Sequence, residues 1–323
     1  MSTSFDIIGD IHGQSGKLEA LLRHLGYSHR MGAWRHPDRQ VRFVGDFIDR
    51  GPGQIETLEI ARDMIEAGTA QAVLGNHEYN AIAYGTHDPD RPKHFLRIRG
   101  SKNRAQHQAF LEAVGLDSPV HKQWIDWFKT LPLWLEDDHM RLVHACWHED
   151  SMKLLEGHLG PGNTLTPELI IASARKDNAE YVAVEVLCKG LEVDLPPPVT
   201  FTDKQGIVRT RTRTRWWDPQ ATTYRTAAMI SPRDSHLLPE DPLPSAIKLS
   251  YDKKKPVFFG HYWMTGEPQV LSPHSCCVDY SAARDDEPLV AYRFDGETEL
   301  SNDKIVSVFP QAIVRGNPRK VSP

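Results

Sequence analysis

Short apolar runs recur along this chain, and most of them end at a glycine or a histidine. Such runs predict buried strands, because a short apolar segment closed by a turn residue is typical of a strand inside a sheet. The runs cover residues 5–8, 41–44, 70–74, 140–143 and 256–259. Segments with helical spacing of apolar residues separate the first three runs, at 17–25 and 55–67. This strand–helix–strand order predicts parallel strands joined by right-handed crossovers.

The pattern becomes less regular in the second part of the chain. Residues 86–100 are rich in proline, histidine and arginine and predict a loop, and the stretch 150–255 shows the weakest periodicity. Helices are predicted at 105–114, 121–129, 166–175 and 178–189, and strands at 276–280 and 289–294. We therefore expect a single domain over 1–300 that carries an insertion or cap at about 150–255. Residues 315–323 are expected to form a flexible tail.

Five of the predicted strands are followed by side chains that bind metal ions. In sheet-based folds ligands bind beyond the carboxyl ends of strands, so these side chains should meet at one edge of a sheet. The candidates are Asp10, His12, Asp46, Asn76, His144 and His261. Asp10 and His12 are two residues apart and point the same way in extended backbone. Asp46 has two oxygens and could bridge two cations, which would hold a hydroxide between them for an in-line displacement at phosphorus.

The motifs around these residues resemble those of a known superfamily. The chain contains Asp-x-His-Gly at 10–13, Gly-Asp-x-x-Asp-Arg-Gly at 45–51 and Gly-Asn-His-Glu at 75–78, followed by His144 and Gly260-His261. In this order they resemble the calcineurin-like metallophosphoesterases, and most closely the phosphoprotein phosphatase branch with its bacterial serine/threonine phosphatases and diadenosine-tetraphosphate hydrolases. The resemblance implies an α/β fold of two facing mixed β-sheets flanked by helices.

The resemblance also implies a role for each site residue. Asp10, His12 and Asp46 would hold one divalent ion, and Asp46, Asn76, His144 and His261 would hold the second. Manganese is the first expectation for both ions, with iron, zinc or nickel as alternatives. A metal-bound hydroxide would be the nucleophile. His77 would protonate the leaving group, Asp49 would orient His77, and Arg50 would bind phosphate oxygens.

Three departures from the family pattern bear on the substrate. The last motif reads Gly260-His261-Tyr262-Trp263 and lacks the second imidazole that many members carry. Leu74 stands where eukaryotic protein phosphatases typically carry arginine, and the segment 277–281 is more similar to bacterial relatives. The segment 217–219 resembles one that precedes a second phosphate-binding arginine, and Arg225 is the nearest downstream candidate for substrate binding.

Composition limits the classes of function. The net charge of -5 argues against a generally basic nucleic-acid binder, so a nucleic-acid partner is possible but not favoured. The alternating Arg/Thr run at 209–215 could guide a polyanion, but a charged edge strand is the favoured interpretation. No apolar run approaches the roughly 20 residues that span a bilayer, so no membrane partner is expected. Four cysteines fit neither a zinc finger nor a disulfide framework, which favours a reducing cytoplasm.

The expected reaction is metal-dependent hydrolysis of a phosphomonoester, in a phosphoprotein or a small molecule. One alternative is hydrolysis of dinucleoside polyphosphates or of nucleic-acid phosphate ends. The other is a non-catalytic metal-binding protein that acts through partners. That alternative ranks lower, because no ligand or acid is missing from the motif set.

Overall fold

The computed structural model describes residues 4–202, 206–231, 234–244, 247 and 251–309 of the 323-residue chain. The α-helices of this described part are α1 Ser15–His24, α2 Gln54–Glu66, α3 Asn76–Gly85, α4 Ser101–Gln106, α5 Gln108–Val114, α6 Pro119–Phe128, α7 Glu149–Leu155, α8 Pro167–Ser173, α9 Ala179–Lys189 and α10 Tyr224–Ala227. Its strands are β1 Phe5–Ile8, β2 Ser28–Arg30, β3 Ala33–Arg35, β4 Gln40–Phe43, β5 Ala70–Ala72, β6 His87–Asp88, β7 Arg91–Phe95, β8 Trp134–Glu136, β9 Arg141–Val143, β10 Leu159–Gly160, β11 Thr164–Leu165, β12 Glu192–Asp194, β13 Phe201–Thr202, β14 Val208–Arg209, β15 Arg211–Arg213, β16 Val257–Phe259, β17 Ser275–Cys277, β18 Leu289–Phe294 and β19 Ile305–Val308. The tail predicted at 315–323 lies outside the described residues.

Two mixed sheets form the centre of the fold. The first has the strand order β19-β18-β1-β4-β5, with β1, β4 and β5 parallel and β18 and β19 antiparallel to their neighbours. The second has the order β17-β16-β9-β8, in which β9, β16 and β17 are parallel and β8 is antiparallel. The parallel crossovers predicted for the first three strands are therefore present.

The two sheets face one another across an apolar layer. Ile7 and Phe294 of the first sheet belong to one buried cluster with Leu142 and Phe258 of the second. The ring of Phe258 lies 5.6 Å from that of Phe294, centre to centre. Burial of one such side chain stabilises the fold by about 1.5–3 kcal/mol. The strand patterns are apolar on both faces because the opposite faces pack in a second, larger cluster.

Helices cover the outer faces of the two sheets. Leu18 of α1 and Leu58 of α2 lie in the same cluster as Phe43 of the first sheet. Phe259 of the second sheet and Leu187 of α9 belong to that cluster as well. The observed architecture is thus the α/β arrangement of two facing mixed sheets flanked by helices that the sequence predicts.

Some local predictions were wrong. Residues 86–100 do not form a simple loop, because β6 and β7 pair as a short hairpin with a register shift between His87 and Asp88. The helix predicted at 105–114 is two helices, α4 and α5, that meet at His107. None of the helices in the described part of the chain is both long and apolar enough to cross a membrane.

The stretch predicted as an insertion has two structural parts. Its helices α8 and α9 contribute Leu169 and Val184 to the main apolar cluster. Strand β12 and helix α10 instead belong to a small separate cluster that contains Val193, Tyr224 and Leu238. Strand β12 pairs with β15 in a two-stranded sheet of its own.

Candidate metal centre

The residues at the ends of the parallel strands share an unusual backbone conformation. His12, Asp46 and His261 have φ values of 50°, 54° and 73°, and Asp49 and Arg50 have 71° and 72°. Non-glycine residues adopt this left-handed region at a cost of about 1–3 kcal/mol each, so the surrounding structure must hold them there. The turns that carry these five residues are therefore strained, and all five are predicted site residues.

Asp46 lies at the centre of these side chains. Its Oδ2 atom is 3.6 Å from Nε2 of His12 and 3.5 Å from Nε2 of His144. His77 is slightly farther away, with its Nε2 4.0 Å from the same oxygen. Asp46 therefore lies within 4.0 Å of histidines from both of the predicted ligand groups.

The second group forms around Asn76. Its Oδ1 atom lies 3.1 Å from Nε2 of His144 and 2.6 Å from Nδ1 of His261. Asp46, His144 and His261 place one ligand atom each within 4.8 Å of one another, and all three are buried. A second set of the same kind contains His12, Asp46 and His77, of which His77 is half-buried.

Asp10 occupies a place between the two groups. Its Oδ2 atom accepts a hydrogen bond of 3.0 Å from the backbone N–H of His261. Its Oδ1 atom is buried and has no hydrogen-bond partner among the described residues. Asp10 therefore contacts the second group through Oδ2, and its Oδ1 atom is available to bind a cation.

The cluster fits a pair of divalent cations. Nε2 of His12 and Nε2 of His261, like Oδ1 of Asp10, are buried without a hydrogen-bond partner in the described structure, which normally costs stability unless a ligand satisfies them. Burial lowers the pKa of His12 to about 3 and that of His261 well below its ordinary value, so both imidazoles keep a free lone pair. Carboxylate, amide and imidazole donors suit Mn, Fe, Zn or Ni, and they do not select one of them.

Glu78 holds the turn that carries Asp46. Its buried carboxyl group accepts hydrogen bonds from the backbone N–H groups of Asp46, Phe47 and Ile48 at 2.8–3.2 Å. Gly75 makes this approach possible, since an added Cβ atom would lie 2.2 Å from the backbone nitrogen of Asp46. The Gly-Asn-His-Glu motif thus supplies one residue for close packing and another that fixes the neighbouring turn.

His77 and Asp49 form a direct pair at the edge of the cluster. Nδ1 of His77 lies 2.5 Å from Oδ2 of Asp49, and the backbone N–H of His77 donates to Oδ1 of Asp46 at 2.9 Å. Burial lowers the pKa of His77, but the nearby carboxylates of Asp46 and Asp49 outweigh it and raise the pKa above its ordinary value. The second oxygen of Asp49 lies 2.7 Å from Nδ1 of His107. Sequence reasoning missed His107, because a lone histidine between two helices carries no motif.

Arg50 and Arg225 are the predicted phosphate-binding residues, and they have different contacts in the structure. Arg50 is exposed, and its guanidinium lies 4.1 Å from the ring centre of Trp263. Arg225 instead donates to the backbone oxygen of Leu238 and pairs with Glu240, and no described contact joins it to the metal cluster. Arg213 was missed as an individual residue: after burial, its charge makes the largest contribution to the lowered pKa of His261.

The arginine run at 209–215 has the predicted alternation. Thr212 and Thr214 are buried, whereas Arg209 and Arg211 are exposed. Nε of Arg211 lies 2.7 Å from a carboxylate oxygen of Asp194 across the two-stranded sheet. The run is thus divided between β14 and β15, which pair with different strands, and the charge of its half-buried member Arg213 contributes to the lowered pKa of His261.

The chain is similar to several known proteins. The family model of calcineurin-like phosphoesterases matches residues 3–195. The asymmetrical bis(5'-nucleosyl)-tetraphosphatase PrpE of Halalkalibacterium halodurans is 32% identical over 152 residues, which are 46% of this chain and 59% of that protein. The symmetrical bis(5'-nucleosyl)-tetraphosphatase of Vibrio cholerae is 28% identical over 272 residues, or 79% of this chain and 83% of that protein. A serine/threonine phosphatase structure from Saccharomyces cerevisiae has a TM-score of 0.48 and 14% identity, and the match covers 98% of this chain and 82% of that one.

The fold and the family match define the class of this chain as a phosphoesterase-family protein. The chain belongs to the calcineurin-like phosphoesterase family, whose model covers more than half of it. The alignment with PrpE spans less than two thirds of that relative.

Proposed function

We propose that this enzyme holds two divalent ions in the cluster centred on Asp46 and hydrolyses dinucleoside polyphosphates. One ion would bind Asp10, His12 and Asp46, and the other would bind Asp46, Asn76, His144 and His261. When bound, the ions would polarise the phosphoryl oxygens and lower the pKa of the attacking water. Residues of the chain itself would donate the proton to the leaving group and bind the phosphate.

The contact between His77 and Asp49 is the observation that carries this proposal. Because Asp49 holds Nδ1 of His77 at 2.5 Å, the other ring nitrogen faces the cluster, 4.0 Å from Oδ2 of Asp46. An imidazole held in this way can keep a proton on Nε2 and give it to the oxygen of the departing group. His107 fixes the far side of Asp49 and thus limits the rotation of the carboxylate.

Two arginines would bind the phosphate that is attacked. Arg50 follows Asp49 directly and has no carboxylate partner among the described residues, which leaves its guanidinium available for phosphate oxygens. Arg213 is the last residue of β15, it is half-buried, and its positive charge contributes to the lowered pKa of His261. We assign Arg213 the substrate-binding role that the sequence pattern gave to Arg225.

The relatives support one order of the candidate substrates. The relative from Vibrio cholerae aligns over 83% of its length and is named for hydrolysis of a bis(5'-nucleosyl)-tetraphosphate. This supports the dinucleoside polyphosphate, which was the alternative from sequence, ahead of the phosphomonoester.

A substrate panel with defined metals tests the proposal. Apoprotein loaded in turn with Mn, Fe, Zn or Ni would be assayed on diadenosine tetraphosphate, p-nitrophenyl phosphate, a phosphopeptide and a 2',3'-cyclic nucleotide. We expect two ions per chain by elemental analysis and the highest kcat/KM with diadenosine tetraphosphate. A phosphopeptide hydrolysed about tenfold more efficiently than the dinucleotide would contradict the substrate assignment.

A further inference from the structure

A polar cavity lies beside the His77–Asp49 pair. Its volume is about 600 Å³, within the range of small-molecule sites. His77, Asp49 and Arg50 form the wall on the side of the cluster, and Arg97 and Lys189 belong to the rest of the lining. The cavity therefore begins next to His77, the proposed acid, and extends from there to Arg97 and Lys189.

Arg97 is the most informative residue of this cavity. It is half-buried, yet no carboxylate among the described residues lies within ion-pair distance of its guanidinium. Among the described residues its guanidinium makes one hydrogen bond, a long one of 3.5 Å from Nη2 to Oε1 of Gln106. Glu185, the carboxylate that acts on it most strongly, is already paired with Lys189. A desolvated guanidinium without a partner is costly, so the structure leaves a place for an anion.

Other groups in the wall are also incompletely satisfied. Oη of Tyr84 and Nε2 of His107 are buried and have no hydrogen-bond partner in the described part of the chain. Two carboxylates belong to the lining, but Asp49 is held by two histidines and Glu112 is exposed and bonded to Gln108. The unpaired charge of the wall is thus mainly positive.

We propose that this cavity binds the leaving group of the substrate and that Arg97 binds a phosphate in it. The inference rests on the proposed function, because it takes His77 as the residue that protonates the leaving oxygen. A proton donor must lie next to that oxygen, so the departing group extends to the side of His77 where the cavity opens. A guanidinium at this position selects a leaving group that carries phosphate, as a nucleoside di- or triphosphate does.

Binding of ADP to the metal-free protein tests the inference without any catalytic step. Isothermal titration calorimetry would compare the wild type with Arg97→Gln and Arg97→Lys, with adenosine as a ligand that lacks phosphate. We expect Arg97→Gln to weaken ADP binding at least about tenfold and Arg97→Lys to weaken it less, since hydrogen bonds to charged groups contribute about 1.5–3 kcal/mol. Adenosine should bind the three proteins equally.

Arg62→Gln is the matched control. Arg62 is also half-buried and lies over an aromatic ring, 4.6 Å from the centre of Trp124, but it is not in the lining of the cavity. The inference is overturned if ADP does not bind the wild type, if Arg97→Gln binds it within twofold of the wild type, or if Arg62→Gln weakens it equally.

Kinetics on the metal-loaded enzyme separate this inference from the proposed function. We expect Arg97→Gln to lower kcat/KM more for diadenosine tetraphosphate than for p-nitrophenyl phosphate, by a factor of at least about ten. A larger loss for an acidic phosphopeptide than for the dinucleotide would overturn the nucleotide assignment of the cavity. A metal-loaded wild type that cleaves none of the phosphate esters would contradict the proposed function, whereas the ADP titration would still decide the cavity.

Discussion

Two regions of the chain contribute to the site in different ways. In residues 5–78 the candidate ligands follow strands of the main sheet, and Asp10, His12 and Asp46 lie in or beside turns with left-handed backbone. In residues 190–244 two two-stranded sheets and a short helix carry arginines, and among them Arg213 contributes to the lowered pKa of His261. In the first region the backbone turns position the candidate ligands. The second region contributes one side chain, that of Arg213, to the surroundings of these ligands.

The difference predicts how each region responds to substitution. In the first region a side chain serves several partners, as Asp46 does for His12, His144 and the backbone of His77. In the second region Arg213 has one electrostatic interaction with the cluster. Its removal should therefore leave the contacts among the cluster residues unchanged. Losses should therefore decrease from the first region to the second.

Asp46→Asn should have the largest effect. The amide keeps the shape of the side chain but removes the charge shared by both ligand groups, so we expect fewer than two metal ions per chain and a loss in kcat/KM of about a thousandfold or more. Elemental analysis and kinetics on the same sample measure both. Asp126→Asn, at an exposed position of α6, is the control. Two retained ions with near-normal turnover would show that Asp46 is not shared.

His77→Asn should keep both ions and slow the reaction according to the leaving group. We expect a loss of about 10²–10⁴-fold for an alkyl phosphate, because its alkoxide needs a proton, and a much smaller loss for p-nitrophenyl phosphate. His94→Asn, at an exposed position of β7, is the control. Equal losses for the two esters would contradict the role of His77 as the acid.

The sequence predicted the first region far better than the second. The ligands of this region could be predicted together with the strands, because each ligand comes shortly after an apolar run. Gly75 is required there, since the close approach of Asp46 leaves no room for a Cβ atom. The left-handed backbone at Asp46 and Asp49 has no signal in residue type, since tertiary contacts impose it. His107 reaches Asp49 from 58 positions away along the chain, at a junction where an unbroken helix was predicted.

The role of each arginine in the second region could not be predicted from the sequence. Arg209, Arg211, Arg213 and Arg215 alternate with threonine, and nothing in that local pattern marks one of them. In the structure Arg213 is half-buried and its charge contributes to the lowered pKa of His261, whereas Arg209, Arg211 and Arg215 are exposed. Arg225 was selected by its distance from a short motif, and its guanidinium is held by Leu238 and Glu240 instead.

Arg213→Gln and Arg225→Gln compare these two assignments directly. Removal of one charge-assisted contact to phosphate should lower kcat/KM about 10–100-fold in Arg213→Gln, which corresponds to about 1.4–2.7 kcal/mol. Arg225→Gln should stay within about twofold of the wild type when it is assayed well below its unfolding temperature. Larger losses in Arg225→Gln than in Arg213→Gln would restore the assignment made from the sequence.

A fourth prediction concerns stability outside both regions. Burial, followed by the positive charge that His107 can carry, lowers the pKa of His121 to about 4, although Asp117 opposes the shift. The unfolded chain therefore takes up a proton between about pH 6.5 and 4 that the folded protein excludes, so the free energy of unfolding falls as the pH decreases through this window. Between pH 7.5 and pH 5 this group should account for a loss of about 1–2 kcal/mol.

His121→Gln should remove that contribution and leave the ligand cluster unchanged. Urea unfolding at pH 7.5 and pH 5 would show a smaller difference in the variant than in the wild type, whereas His24→Gln, at an exposed position of α1, would keep the full difference. The size of the effect is limited because Nδ1 of His121 accepts a 3.3 Å hydrogen bond from the backbone N–H of Asp117, which glutamine can reproduce only in part. If both variants retain the full pH dependence, His121 is protonated in the folded protein and the loss of stability at low pH comes from the strained, charge-rich turns of the first region.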